Sequence, residues 1–259
     1  MDLALEDRHV VVTGGSRGIG LACVNAFLAE GARVTIVSRH EETVAAALER
    51  LRGRPCRGIA ADLGDAEAAA RAIEQAEAQS GAIDVLVNSA GAARRTPFEQ
   101  LTARDWHDAM DSKYFTYVHA MDPVAKRMGQ RGRGAIVNVI GMGGKVARPV
   151  HIAGGAANAA LMLATAGLAA AYAPRGVRIN AVNPGLTLTQ RLHEGVRAEA
   201  RQRGVSEEQA LADAERAQPM GRIARPEEIA DAVVWLASDR ASYVCGAILA
   251  MDGATAPII

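Results

Sequence analysis

Residues 10–20 read VVVTGGSRGIG. Three β-branched residues, Val10, Val11 and Val12, run into Thr13, and glycines follow at Gly14, Gly18 and Gly20 before an amphipathic segment, 21–30. Strand, tight turn and helix are expected in that order. The first glycine admits a turn that a β-carbon would strain, the next lets backbone N–H groups approach an anion, and the last lets the helix sit close to the strand. Free N–H groups and the positive end of the helix dipole then make a dinucleotide pyrophosphate the expected guest.

Outward from this turn, strands and helices alternate. Strands are read at 33–38, 56–61, 83–88, 134–140, 177–182 and 247–251, and helices at 41–52, from Asp65 to Ser80, and at 106–127, 156–172 and 226–238. Asp65 stands where a helix N-cap belongs. Residues 187–218 are polar and broken by Gly195 and Gly204, and read as an irregular, mobile substrate lid. The alternation specifies an α/β fold with helices on both faces of a doubly wound parallel sheet of about seven strands. The 259 residues bury one large core, so a single domain over 1–259 is expected.

Lys plus Arg number 29 and Asp plus Glu 29, giving no net charge, so neither nucleic acid nor a membrane surface is an expected partner, and a small-molecule substrate is. Cys23, Cys56 and Cys245 are widely spaced, which predicts no metal site and no disulfide framework. The opening MDLALEDRHV carries no basic and then apolar stretch of the export type, and the cytoplasm is the expected compartment. Residues 153–173 are uncharged but mostly Ala and Gly, which predicts a closely packed buried helix rather than a membrane span.

The residues after the second strand bear on the cofactor. An NAD site usually places an acid there for the ribose hydroxyl, whereas Ser38 and Arg39 stand here, with Arg17 as a second guanidinium in the turn. A charge-assisted pair with a 2′-phosphate favours NADP(H) over NAD(H); the alternative is that both arginines are solvated surface charges.

Along essentially its whole length the chain resembles the short-chain dehydrogenase/reductase family, whose fold is the single-domain Rossmann fold. Residues 13–20 are similar to its cofactor turn, Asp62-Leu63 to its adenine contact, and Asn88-Ser89-Ala90-Gly91 to its Asn-Asn-Ala-Gly signature. Asn183-Pro184-Gly185 with Thr187 and Thr189 resembles the segment on the nicotinamide side, and residues 219–253 resemble the C-terminal helix and strand. The resemblance implies cofactor contacts at Gly14, Ser16, Arg17, Gly18, Ile19, Gly20, Arg39, Asp62, Leu63, Asn88, Ala90, Gly91, Pro184, Gly185 and Thr187. It also implies a homodimer or homotetramer, paired through the Ala-rich helix and the helix before it.

The resemblance departs at the chemistry. The family uses a Tyr-x-x-x-Lys pair, a Ser and an Asn; aligned here, those positions fall on Gly154 and Asn158, on Gly141, and on Lys113. A phenol made acidic by a neighbouring ammonium is thereby lost, a change expected to slow ordinary carbonyl reduction by ~10²- to 10⁴-fold. Lys113 and Asn158 look like an exchanged pair that still faces across two helices. Lys113 is a candidate acid, base or anion clamp if it points inward, and a surface lysine if it does not. His151, at the cleft rim, is a second proton-transfer candidate, with a plain loop residue as the alternative. Glycines at 141, 143, 144, 154 and 155 are expected to widen the cavity over the nicotinamide. The expected function is a divergent NADP(H)-dependent oxidoreductase acting on a small carbonyl, enone or alcohol; a cofactor-binding scaffold and a non-redox enzyme are the alternatives.

Overall fold

The computed structural model describes residues 2–91 and 93–256. Seven strands, β1 (His9–Thr13), β2 (Arg33–Ser38), β3 (Cys56–Ala60), β4 (Val85–Asn88), β5 (Gly134–Val139), β6 (Val177–Pro184) and β7 (Ile248–Met251), form one sheet. Its order is β3-β2-β1-β4-β5-β6-β7, and every pair is parallel. The direction of winding reverses between β1 and β4, which opens a crevice at the carboxyl ends of those two strands.

Strand β1 is buried at every residue, as a strand covered on both faces must be. Val10 and Val12 point into one core and Val11 into the other. Helices α1 (Gly18–Ala29), α2 (Glu41–Arg50) and α9 (Pro226–Ala237) bring Phe27, Ala47 and Val233 to the first core. Helices α3 (Ala66–Ser80), α5 (Thr116–Arg131) and α6 (Ile152–Tyr172) bring Ile73, Val124 and Ala169 to the second. The doubly wound reading holds, and the Asp65 carboxylate caps α3, accepting from the Ala68 N–H at 2.7 Å.

Three local readings are corrected. Residues 106–127 are not one regular helix: α4 (Ala103–Ala109), capped by Thr102, runs into a π-helical turn, Met110–Phe115, and then into α5. The cause is tertiary. Gly91, at φ +98°, lies so close to this turn that a β-carbon there would collide with the Ser112 carbonyl and stand 3.0 Å from Thr116 Oγ1. The Thr116 hydroxyl donates to the Lys113 carbonyl at 2.9 Å and the Ser112 carbonyl at 3.4 Å. Second, 187–218 is mostly helical, as α7 (Gln190–Arg203) and α8 (Glu207–Arg216), which pack through Val196, Ala200 and Ala210. Gly195 lies inside α7, and Gly204, at φ +66°, ends it. Third, α6 begins four residues early, so Gly154 and Asn158 are both helical.

By length and composition α6 with its last turn, Ile152–Arg175, is long and apolar enough to cross a membrane. In this fold it is a core helix, with Leu161, Thr165 and Ala169 buried against the sheet.

A buried polar chain ties the sheet to α6. Thr13 Oγ1 donates to Asn88 Oδ1 at 3.3 Å, Asn88 Nδ2 to Asn138 Oδ1 at 2.9 Å, Asn138 Nδ2 to Thr165 Oγ1 at 2.9 Å, and Thr165 Oγ1 to the Leu161 carbonyl at 2.7 Å. Replacing Thr165 by Val leaves Asn138 Nδ2 with only the Met121 sulfur, 3.4 Å away. Stranding a buried donor costs about 1–3 kcal/mol. Urea unfolding of Thr165→Val is therefore expected to show a loss of that size, and an unchanged midpoint would mean the chain is not satisfied as drawn.

Candidate active site

The carboxyl ends of the strands gather most of the expected cofactor contacts. Gly14 follows β1, Arg39 follows β2, Asp62 and Leu63 follow β3, Ala90 and Gly91 follow β4, and Gly185 and Thr187 follow β6. Gly14 packs directly on the loop after β4, where a β-carbon would stand 2.8 Å from the Ala90 nitrogen, and a β-carbon on Gly20 would strike the Gly14 carbonyl. Thr13 Oγ1 accepts from the N–H groups of Ser89, at 3.2 Å, and Ala90, at 3.3 Å. The turn and the crevice are thus one unit. Asp62 folds back, its carboxylate accepting from the Gly64 N–H at 2.9 Å, and Leu63 is buried.

A dinucleotide fits the residues present. The first turn of α1 has no side-chain cap and no acidic residue, so its N–H groups are open to a phosphate. At the far end of the crevice, Ser38 Oγ is buried without a hydrogen-bond partner among the described residues, as a ribose contact would require. Arg17 and Arg39 are exposed, and neither forms an ion pair among the described residues.

The glycines do not widen the cleft as expected. A β-carbon on Gly144 would lie 2.7 Å from the Ala159 nitrogen, and one on Gly155 would lie 2.7 Å from the Gly143 carbonyl oxygen. The loop after β5 is pressed against α6, and the glycines permit that approach. At Gly154 the space is taken by His151: a β-carbon there would strike its Cε1 and stand 2.7 Å from both Nε2 and the Ala93 β-carbon. Room remains at Gly141, where an added β-carbon would meet only Asn158 Nδ2, at 3.4 Å, whereas one on Gly143 would crowd His151 Cδ2 at 3.1 Å.

Lys113 turns inward. From the π-helical turn its Nζ donates to Tyr117 Oη at 3.0 Å and to the Val139 carbonyl at 3.3 Å, and it lies 4.6 Å from the centre of the Tyr117 ring. Tyr117 is fully buried and donates to the same carbonyl at 2.6 Å; burial pushes its phenol far up. Burial, with the Arg191 guanidinium second, pulls the Lys113 amine down to about 7. The expected contact with Asn158 is not made as a hydrogen bond: Asn158 Oδ1 is buried and has no partner among the described residues. His151 Nδ1 is also buried without a partner among the described residues. Burial lowers the imidazole below its ordinary value, followed by Arg95, Arg191, Lys113 and Arg148, so the ring favours its neutral form.

Arg191 was not among the sequence candidates. It stands in the first turn of α7, donates to the Ala93 carbonyl at 2.9 Å, and so reaches the wall that holds Gly154 and His151. A cation so early in a helix opposes the dipole, which was a readable signal.

The matching family profile, described as Enoyl-(Acyl carrier protein) reductase, covers residues 14–254. The chain belongs to the short-chain dehydrogenase/reductase family. Among its relatives, D-threitol dehydrogenase of Mycolicibacterium smegmatis is 36% identical over 257 residues, covering 97% of this chain and 94% of the relative. Cis-4-hydroxycyclohexanecarboxylate dehydrogenase of Sinomonas cyclohexanicum is 36% identical, covering 98% of each chain. L-sorbose reductase from Gluconobacter frateurii, solved with NADPH and L-sorbose, superposes with a TM-score of 0.94 at 27% identity over 100% of both chains. The sheet with helices on both faces is that of the family's Rossmann fold.

The Lys113 amine gives a stability test. Its folded value of about 7 lies below the ordinary 10.5, so the folded state binds fewer protons than the unfolded chain between those values. Stability is therefore expected to rise from pH 7 toward 10.5, with the full penalty present below 7. In Lys113→Met that increment disappears and the midpoint at pH 7 rises, Tyr117 keeping its bond to Val139. Thermal melts of both proteins at pH 6.5, 8 and 9.5 check this, and parallel curves would contradict it.

Proposed function

We propose that the chain is an NADP(H)-dependent oxidoreductase interconverting a small alcohol and its carbonyl, or reducing an enone, with His151 in place of the family's tyrosine. The observation that carries this is the His151 ring, which fills the space where a side chain on Gly154 would begin. With Gly141, Gly154, Asn158 and Lys113 at the positions the resemblance assigns to the Ser, Tyr, Lys and Asn, no other imidazole or phenol is put forward for the proton.

Ser16, Gly18, Ile19 and Gly20 at the start of α1 would hold the pyrophosphate, Ser38 with Arg39 and Arg17 the 2′-phosphate end, Asp62 and Leu63 the adenine side, and Pro184, Gly185 and Thr187 the nicotinamide side. When bound, the dinucleotide supplies hydride donation and acceptance. His151, kept neutral by burial and four nearby cations, takes the proton of a substrate hydroxyl at Nε2 during oxidation and returns it during reduction. Asn158 orients the substrate oxygen through its free amide. Lys113, held on Val139, sets the local positive field rather than touching the substrate.

The chain acts as a homodimer or a tetramer built from such pairs. The exposed side of α6 carries Ala156, Ala159, Leu163 and Ala166, and Leu163 is 77% exposed, a strip that a second copy would cover. Three free thiols suit the cytoplasm.

A ligand at ~100 times its Kd stabilises by ~2.7 kcal/mol, so thermal shift is expected to be larger with NADPH than with NADH. His151→Ala should keep that shift while losing alcohol oxidation ~10²- to 10⁴-fold. The acid limb of the oxidation rate should fall below the ordinary imidazole value, since the folded ring loses its proton at lower pH. Binding without turnover in the unaltered protein would instead favour the scaffold reading. Leu163→Glu should yield monomers in sedimentation.

A further inference from the structure

Four guanidinium groups and the Lys113 amine bear on His151 or on Arg191. Burial and the fields of Arg95, Arg191, Lys113 and Arg148 all bear on His151, and Arg17 and Arg95 bear on Arg191. Glu194 is the acid that acts on this set, and it already accepts from the Gln190 amide at 3.1 Å. None of Arg17, Arg95, Arg148, Arg191 and Lys113 forms an ion pair among the described residues, although the whole chain is charge-balanced. Like charges gathered without counterions destabilise a fold, and an anionic guest relieves the repulsion.

The geometry gives that guest a place. Arg191 is hinged on the Ala93 carbonyl, and the Ala93 β-carbon stands 2.7 Å from where a side chain on Gly154 would begin. The guanidinium therefore reaches the wall on which Gly154 and His151 sit. It stands there against the α7 dipole, in a first turn with no acidic residue. Asn158, 4% exposed, turns its Nδ2, an N–H donor, toward Gly141, where an added β-carbon would meet it at 3.4 Å.

We propose that the substrate carries an anionic group, a carboxylate or a phosphate, and that Arg191 is the residue that takes it, with Arg95 at the rim. This rests on the oxidoreductase reading above, and it adds a charge to the substrate class. The cofactor's 2′-phosphate would take Ser38, Arg39 and Arg17, which leaves Arg191 and Arg95 for the substrate's anion.

The test uses the full chain and substrates that differ by one charge. Straight-chain keto acids of four to ten carbons are each paired with their methyl ester, and dihydroxyacetone phosphate with dihydroxyacetone, in NADPH-consumption kinetics. A charge-assisted bond of about 1.5–3 kcal/mol corresponds to a preference for the anion of ~10- to 150-fold in kcat/KM. In Arg191→Gln that ratio should collapse while the Kd for NADPH, read by its fluorescence, stays within about twofold. A preference confined to the keto acids assigns a carboxylate, and one confined to the phosphate pair assigns a phosphate. Equal use of each pair, or a ratio that survives Arg191→Gln, overturns the proposal. So does a parallel fall in NADPH affinity, which would give Arg191 to the cofactor. Thermal shift with each anion, with and without NADPH, reads binding even where turnover is absent. Failure of NADPH to bind would then fall on the oxidoreductase reading, and failure of every anion to shift the melt would fall on this one.

Discussion

The buried chain of hydrogen bonds from Thr13 through Asn88 and Asn138 to Thr165 is the constraint on which the site depends. Three neighbouring strands and α6 each contribute one polar side chain to it, at the ends where backbone pairing stops. In a low-dielectric core each such group must find its partner, so the chain tolerates few alternative registers. The same Thr13 hydroxyl receives two backbone N–H groups from the loop after β4. The glycine turn, that loop and α6 are therefore positioned by one set of bonds, and the cleft between them keeps a fixed shape.

Within that frame the cleft has been refilled rather than emptied. The loop after β5 lies against α6 because Gly144 and Gly155 let backbone meet backbone. An imidazole occupies the position beside Gly154, and an amine comes in from the opposite wall. A phenol is present, at Tyr117, but it is sealed in the core and committed to the Val139 carbonyl, so it supports the amine instead of facing the cleft. The result is a pocket that holds a neutral imidazole and a half-protonated amine, with guanidinium groups bearing on both.

The parallel sheet and the phosphate turn were legible in the sequence because each rests on local rules; the strand order was not, since it depends on pairings between distant segments. Unbroken Val runs mark strands covered on both faces, and Asp65 at the head of an Ala-rich segment marks a cap. The two helices in 187–218 were also legible, since Leu192, Val196 and Ala200 recur every four residues, but the polar background and Gly195 obscured them. The π-helical turn was not. Its residues carry a plain helical pattern, and the widening comes from Gly91, some twenty positions away in the chain. Likewise, the three-residue spacing of His151 and Gly154 places them on one side of a helix start, yet nothing local says that the ring turns inward. Whether Lys113 faced the cleft or solvent was open for the same reason.

The widened turn also divides its helix mechanically. Two of its carbonyls lean on the Thr116 hydroxyl, a single side-chain donor, while the following turns of α5 are anchored in the core by Met121, Val124 and Met128. Lys113 therefore sits where the helix changes its winding, between a segment anchored in the core and the short, exposed arm of α4.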